Sequence, residues 1–310
     1  SKIGRNATWY QSRQTEQVNL NCREVEEILI PLFSNDFSKL IRSKYSKISK
    51  LNESIKILFD KANKILLNKI GLDNWKLKND LTFQNKFSDV KNFDRLDAEY
   101  FQPKYDKILS LLNKKSKIEK ISDHFNLNQS KFKIDKNLEY KYVEISSVNI
   151  FNSEITPLEL FGEDLPANAK IKLNKDDLIL SKVRPYRGAI SIIKDNNFVG
   201  SSAFSVLSSK KNGKINKESL FIYLKCKPIL HLLNKYNTGS EYPVIIDDDV
   251  VNLPIPLIDK KIQIDLENIV NKIQSMNSEV NAFLNEFSIA IDLSIEKTEK
   301  EALKYLKNIK

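Results

Sequence analysis

The densest group of residues able to grip a charged or aromatic ligand is Lys182, Arg184, Tyr186, Arg187 and Gly188, in the run SKVRPYRGAISII. Each arginine carries a planar fork of donors that matches guanine O6/N7 or a phosphate. Gly188 allows close backbone approach, Pro185 stiffens the segment, and Tyr186 can pack or stack. The run lies between two strand-like stretches, DDLILSKV and GAISII, and is therefore predicted to be a short loop. The plain alternative is a hairpin with exposed arginines. A second group, Asn237, Thr238, Gly239, Ser240 and Tyr242 in NTGSEYPV, is predicted to form a polar turn with donors suited to phosphate, or simply the turn that closes a helix. Lys114, Lys115, Lys117, Lys120, Lys131 and Lys133 could follow a phosphate backbone or form a solvated face.

Catalytic patterns are missing. There is no NPPY-like or DPPY-like tetrapeptide and no FxGxG, so an adenine methyltransferase site is not expected. No GxxxxGK[ST] or nucleophile elbow occurs. His124 and His231 have no metal-ligand spacing around them, and His231 falls in an amphipathic helix where a structural role is expected. Asp135, Glu139 and Lys141 form a weak nuclease-like pattern without its usual neighbours. Cys22 and Cys226 are far apart and lack a CxxC partner, which argues against a zinc or redox motif. The expectation is a binding protein that is not an enzyme and holds no metal or cofactor.

The chain of 310 residues has 50 Lys and Arg against 40 Asp and Glu, a formal charge of +10. That surplus favours a polyanionic partner, with nucleic acid the first candidate. A genome that writes Lys, Asn and Ile everywhere would give the same bias. No apolar run approaches the ~18 residues a membrane span needs. The opening SKIGRNATWY looks like neither a start nor a leader, and a truncated, reduced, cytosolic chain is expected.

Two long helices must position these groups. From about Asp36 to Ile70, Ile41, Ile48, Ile55 and Ala62 recur every seventh residue, with Leu51, Leu58 and Ile65 in the second seam position. Ser34 or Asp36 can cap the start, and Gly71 ends the helix. From about Ile262, Leu266, Ile269, Ile273, Met276, Val280, Phe283, Phe287 and Ala290 step by threes and fours. This seam weakens where Ser294 and Lys297 take its positions, although helical propensity persists to Leu306. At about 1.5 Å per residue the helices reach roughly 50 Å and up to roughly 70 Å. Each has one apolar stripe, and an antiparallel two-helix coil buries both. Two amphipathic helices packed on separate cores are the alternative.

The stretch before each helix repeats: ILIPL aligns with LPIPL, placing Pro31 opposite Pro256. Such a period implies a duplicated unit, a globular domain that ends in an IPL strand and continues into a long helix. Between the helices RLDAEYFQPKYDKILSLL opens with Pro103 in a helical first turn. Strand-like runs KYVEISSVNI, DDLILSKV, GAISII, SAFSVL and VVNLPIPL follow, interrupted by one helix, KESLFIYLKCKPILHLLNKY. The fold class is α+β.

RLDAEYFQPKYDKI, SKVRPYRGAISII, VGSSAFSVL and TGSEYPVIIDDDVVNLPIPL, in this order before a long helix, resemble the specificity (S) subunit of Type I restriction–modification systems. The resemblance covers nearly the whole chain and lies in the order of these stretches. It implies α+β target recognition domains, each reading half of a bipartite DNA site, joined by a pair of long antiparallel coiled-coil helices. It divides the chain into a remnant of a first recognition domain (1–33), a long helix (34–72), a linker (73–94), a second recognition domain (95–258) and a long C-terminal helix (259–310). It further implies a non-catalytic subunit of the bacterial or archaeal cytoplasm. Its partners would be double-stranded DNA, methyltransferase (M) subunits carrying S-adenosylmethionine and, in the full complex, restriction (R) subunits, with self-dimerisation if the chain is a half-length form. The rivals are the recognition region of a single-chain methyltransferase–nuclease fusion and a coiled-coil scaffold.

Overall fold

The computed structural model describes residues 1–12, 19–93, 95–131, 133–238 and 242–308. In chain order its helices are α1 (Lys2–Gln11), α2 (Cys22–Glu26), α3 (Asn35–Ile70), α4 (Phe87–Phe93), α5 (Pro103–Lys115), α6 (Ile121–His124), α7 (Lys217–Lys225), α8 (Lys227–Leu233), α9 (Asp247–Val251), α10 (Lys260–Glu296) and α11 (Glu299–Asn308). Its strands are β1 (Ile118–Lys120), β2 (Phe125–Leu127), β3 (Glu139–Val143), β4 (Leu158–Phe161), β5 (Ala169–Leu173), β6 (Leu178–Ser181), β7 (Ile190–Ile192), β8 (Phe198–Ser201), β9 (Phe204–Ser209) and β10 (Pro254–Pro256). The fold is α+β, as its sequence pattern indicates. Two compact units are formed, one from Ser1–Ile55 with Ser275–Lys310 and the other from Lys56–Gln274. Among the described residues no helix is long and apolar enough to cross a membrane.

In the first unit α3 and α10 run antiparallel. Lys44 pairs with Glu286 at 3.7 Å, while Lys47, three residues further on, lies over the ring of Phe283, three residues back. Ile48, Val280, Phe287 and Ala290 are buried between them, and Ile41, Leu51 and Phe283 are half-buried against the same cluster. Met276 is half-buried and Ile55 buried. The C-terminal helix breaks where one continuous helix was expected. Thr298 caps a new helix by accepting the Glu301 N–H at 3.2 Å, and α11 buries Ala302 and Leu306 in the cluster that holds Phe37. Ser294 and Lys297 leave the seam nothing apolar to continue with, so a capped break that adds new burial wins. The Glu299 carboxylate accepts the Ser34 N–H at 3.0 Å.

The Ile28–Leu32 stretch differs from its repeat. Leu29 is 93% and Leu32 99% exposed, and no strand pairs with them among the described residues. The aligned segment is β10, whose Pro256 lies opposite Ile118 of β1.

In the second unit α3 buries Phe59, Ala62, Leu66 and Ile70, and α10 buries Leu266, Ile269, Val270 and Ile273. The expected seam residues Leu58 and Ile65 are only half-buried, and their neighbours Phe59 and Leu66 take the core. A helix of 3.6 residues per turn drifts off a seven-residue repeat, and here α7 supplies a second partner, with the Phe221 ring tilted against Phe59 at 6.1 Å. Gly71, at φ +75°, turns the chain so that the Leu72 N–H returns to the Leu67 carbonyl at 2.9 Å.

Besides the β1-β10 pair, this unit contains two four-stranded sheets, ordered β2-β9-β6-β7 and β4-β3-β8-β5, the second containing one parallel pair, β3 with β8. Val143, Leu173 and Phe198 from one sheet meet Ile179, Phe204 and Val206 from the other in one core. Ser202 and Ala203 alone join β8 to β9, so the chain passes directly from sheet to sheet. The helix expected across 217–236 is broken at Cys226, whose ψ of 134° is extended. Pro228 in the next first turn cannot continue the ladder of α7.

Candidate nucleic-acid interface

The Arg184–Gly188 loop leaves β6 and enters β7, the two strands pairing Leu178 with Ile192 and Leu180 with Ile190. Ser181 closes its first corner by donating its hydroxyl to the Val183 carbonyl at 2.7 Å. Arg184 then adopts the left-handed region, φ 47° and ψ 53°. A side chain ahead of proline normally takes extended backbone, so this conformation stores about 1–3 kcal/mol. It is held by the Arg184 N–H donating to the Pro243 carbonyl at 2.7 Å. Pro185–Arg187 form one 3-10 turn, and Gly188 at φ +74° returns the chain to the sheet.

The second predicted group meets the first. Val183 bridges Val244, and the Ile245 N–H donates to the Lys182 carbonyl at 3.0 Å. Thr238 closes the turn with its N–H on the Val244 carbonyl at 2.9 Å, and its exposed hydroxyl donates to the same oxygen at 3.2 Å. Tyr242, 61% exposed, lies under the Arg184 guanidinium, 5.4 Å from centroid to Cζ. Gly239 and Ser240 lie outside the described residues. Asn237 offers its carbonyl to Arg95 at 2.5 Å.

Arg184, Arg187 and Tyr242 line an open cleft of about 570 Å³. The far side comes from the other sheet: Glu144 and Ser146 after β3, Asn168 before β5 and Ser201 at the end of β8. Asn168 uses its Oδ1 to accept the Tyr142 hydroxyl at 2.9 Å, which leaves its amide donors to the cleft. Burial raises the Tyr142 phenol's pKa above its ordinary value, so it stays a donor. The cleft thus offers cationic forks on one wall and a carboxylate, an amide and hydroxyls on the other, a set able to read base edges. Tyr186 and Arg187 are exposed, whereas Gly188 is buried.

Lys182 points elsewhere. Its ammonium pairs with Asp247 at 3.3 Å, and Asp247 also accepts the Ser205 hydroxyl at 2.6 Å. Its charge is therefore matched locally. The six outlying lysines fall on separate elements: Lys114 and Lys115 on α5, Lys117 and Lys120 at β1, and Lys131 and Lys133 ahead of β3. Lys117 pairs with Glu119 at 3.0 Å, and Lys120 donates to Asn252 at 2.9 Å.

Glu144, Ser146, Asn168 and Ser201 carry no motif. Three stretches distant in sequence assemble them, and KYVEISSVNI reads as one strand where β3 stops at Val143. Lys225 was equally silent, being one lysine in an amphipathic helix. Its ammonium donates to the Ile150 carbonyl at 2.9 Å, the Ser153 hydroxyl at 2.8 Å and the Gly188 carbonyl at 3.3 Å. Burial against Phe59 and Phe221 lowers its pKa to about 8.

The remaining candidates for chemistry do not converge. His124 is buried, accepting the Lys214 N–H at 3.3 Å, and the His231 ring packs 5.6 Å from Trp75. Asp135 caps its own turn by accepting the Asn137 N–H at 3.0 Å. No group of three metal-binding side chains occurs among the described residues.

By sequence the chain is similar to the specificity subunits of Type I restriction enzymes. One curated relative is the Type I restriction enzyme HindI specificity subunit of Haemophilus influenzae, 24% identical over 168 residues, 51% of this chain and 36% of the relative. The chain therefore spans about a third of the length of that relative. Solved structures with a partial likeness include the HsdS subunit of Thermoanaerobacter tengcongensis, at 21% identity and TM-score 0.42 over 58% of this chain and 46% of that one. Another is a Type I restriction–modification S subunit from M. genitalium, at 14% identity and TM-score 0.43 over 96% of this chain and 68% of that one. No family model matches the chain.

Proposed function

We propose that this chain is a non-catalytic DNA-recognition subunit that directs adenine methyltransferase and restriction subunits to a specific site. The observation that carries the reading is the Arg184–Gly188 loop, a strained segment that stacks Arg184 on Tyr242 and sets two arginine forks on one wall of a polar cleft. Arg184, Tyr186 and Arg187 contact base edges in the major groove. Thr238, with Gly239, Ser240 and neighbouring lysines, contacts phosphate, and Tyr242 braces Arg184. Lys182 serves the frame through Asp247. The chain binds no cofactor itself. S-adenosylmethionine belongs to the methyltransferase partner, which docks on the exposed sides of α3 and α10 and extrudes the target adenine. A bipartite target then requires a second recognition domain in the assembly, from another stretch of chain or from a second copy in a self-dimer.

The test is selection from a randomised double-stranded library by the chain in complex with its methyltransferase subunit. Arg184→Ala and Arg187→Ala are each expected to relax one position of the enriched motif at a cost of about 1–3 kcal/mol for the preferred base. An unchanged motif in both variants overturns the loop assignment, and no enriched motif from the wild type overturns the function.

A further inference from the structure

Next to the arginine loop, the chain holds a large apolar side chain in water. Phe151 is 83% exposed at the tip of the Asn149–Glu154 loop. Such exposure usually belongs to a loose segment, yet this loop is fastened throughout. Val148 bridges Ile155 at its base, and the Asn149 N–H donates to the Glu154 carbonyl at 2.9 Å. The Asn149 side chain accepts the Phe151 N–H at 2.9 Å, and the Asn152 side chain accepts the Glu154 N–H at 3.0 Å. Ser153 turns through φ 60°, and its carbonyl accepts the buried Ser191 hydroxyl from β7 at 2.6 Å. Lys194 pairs with Glu154 at 2.6 Å.

The fastening also joins this loop to the arginine loop. One ammonium, that of Lys225, holds the Ile150 carbonyl, the Ser153 hydroxyl and the Gly188 carbonyl. Ile150 itself lines the cleft with Arg184 and Arg187. A rigid loop that pays little entropy on binding, presents an aromatic tip and shares an anchor with a cationic loop has the form of a second reading element.

We infer that Phe151 is a specificity-determining residue that makes apolar contact with the C5-methyl group of a thymine in the duplex read by the arginine loop, and that Lys225 is the positioning residue that fixes the two loops together. Phenylalanine has no donor or acceptor, and in the major groove the methyl group of thymine is the apolar mark that such a side chain can read. This inference rests on the DNA-recognition reading above.

The experiment uses the full chain with its methyltransferase subunit and the motif selected by the wild-type complex. Each thymine of that motif is replaced in turn by deoxyuridine, which removes only the methyl group. At one thymine the wild type is expected to lose about fourfold in affinity, while Phe151→Ala binds thymine and deoxyuridine duplexes equally there. Phe151→Ala should keep its affinity for a random duplex pool. If Phe151→Ala shows the same deoxyuridine profile as the wild type, the inference falls while the arginine-loop reading stands. If the wild-type complex enriches no motif, both fall.

Discussion

Raising the pH from about 7 to about 10 should stabilise the wild-type chain relative to its Lys225→Met variant. Burial lowers the Lys225 pKa from 10.5 to about 8 in the folded chain, so over that window the unfolded chain holds a proton that the folded chain has released. Stability therefore rises with pH through this residue, and the charged form is the less stable one in the fold. The full shift corresponds to ~3 kcal/mol, of which ~2.5 kcal/mol falls between pH 7 and 10. Other lysines and tyrosines titrate in the same range. The quantity to read is accordingly the difference between the two proteins' urea unfolding free energies at each pH, since groups common to both cancel. Methionine keeps the stem's packing against Phe59 and Phe221 and removes the three donations to Ile150, Ser153 and Gly188. The variant should thus be the less stable protein in alkali, with the gap narrowing toward neutrality. A gap that stays constant across the range would show that the ammonium is not desolvated and would refute the reasoning.

Two further outcomes follow from the frame of the cleft. Asp247→Asn removes the anion that matches Lys182, so affinity for random duplex DNA should rise and the salt slope steepen by about one unit, measured by titration at several salt concentrations. Gly188→Ala should cost about 1 kcal/mol in urea unfolding. The new Cβ would meet Leu230 at an ordinary 3.4 Å, so the cost comes from φ +74° alone.

The long helices were legible because their signal repeats. Ile48, Ile55, Ala62 and the α10 seam from Leu266 to Ala290 are read from period alone. Leu58 and Ile65 were misplaced because a heptad describes two helices, and α7 gives this stretch of α3 another neighbour. The arginine loop was visible through its unusual composition, and the turn beside it through its polar residues. Their convergence was not visible, since backbone bonds between Lys182–Arg184 and Pro243–Ile245 leave no mark on residue type. Short strands such as β5, β8 and the three residues of β1 fall below any useful period. The Phe151 loop was hidden for a related reason: ISSVNI has the β-branched composition of a strand, but Ile145–Ser147 form a 3-10 turn and the Asn149 side chain then accepts the Phe151 N–H.

The clasp between these two segments has an evolutionary corollary. Arg184 N–H to Pro243 O, Ile245 N–H to Lys182 O and the Val183–Val244 bridge involve main chain only. The side chains at 184, 186, 187 and 242 are consequently not needed to keep the loop where it is. Mutation can exchange them with little penalty to folding, so a lineage could drift from one target to another through intermediates that all fold. The architecture would then diversify fastest at the residues that face its ligand.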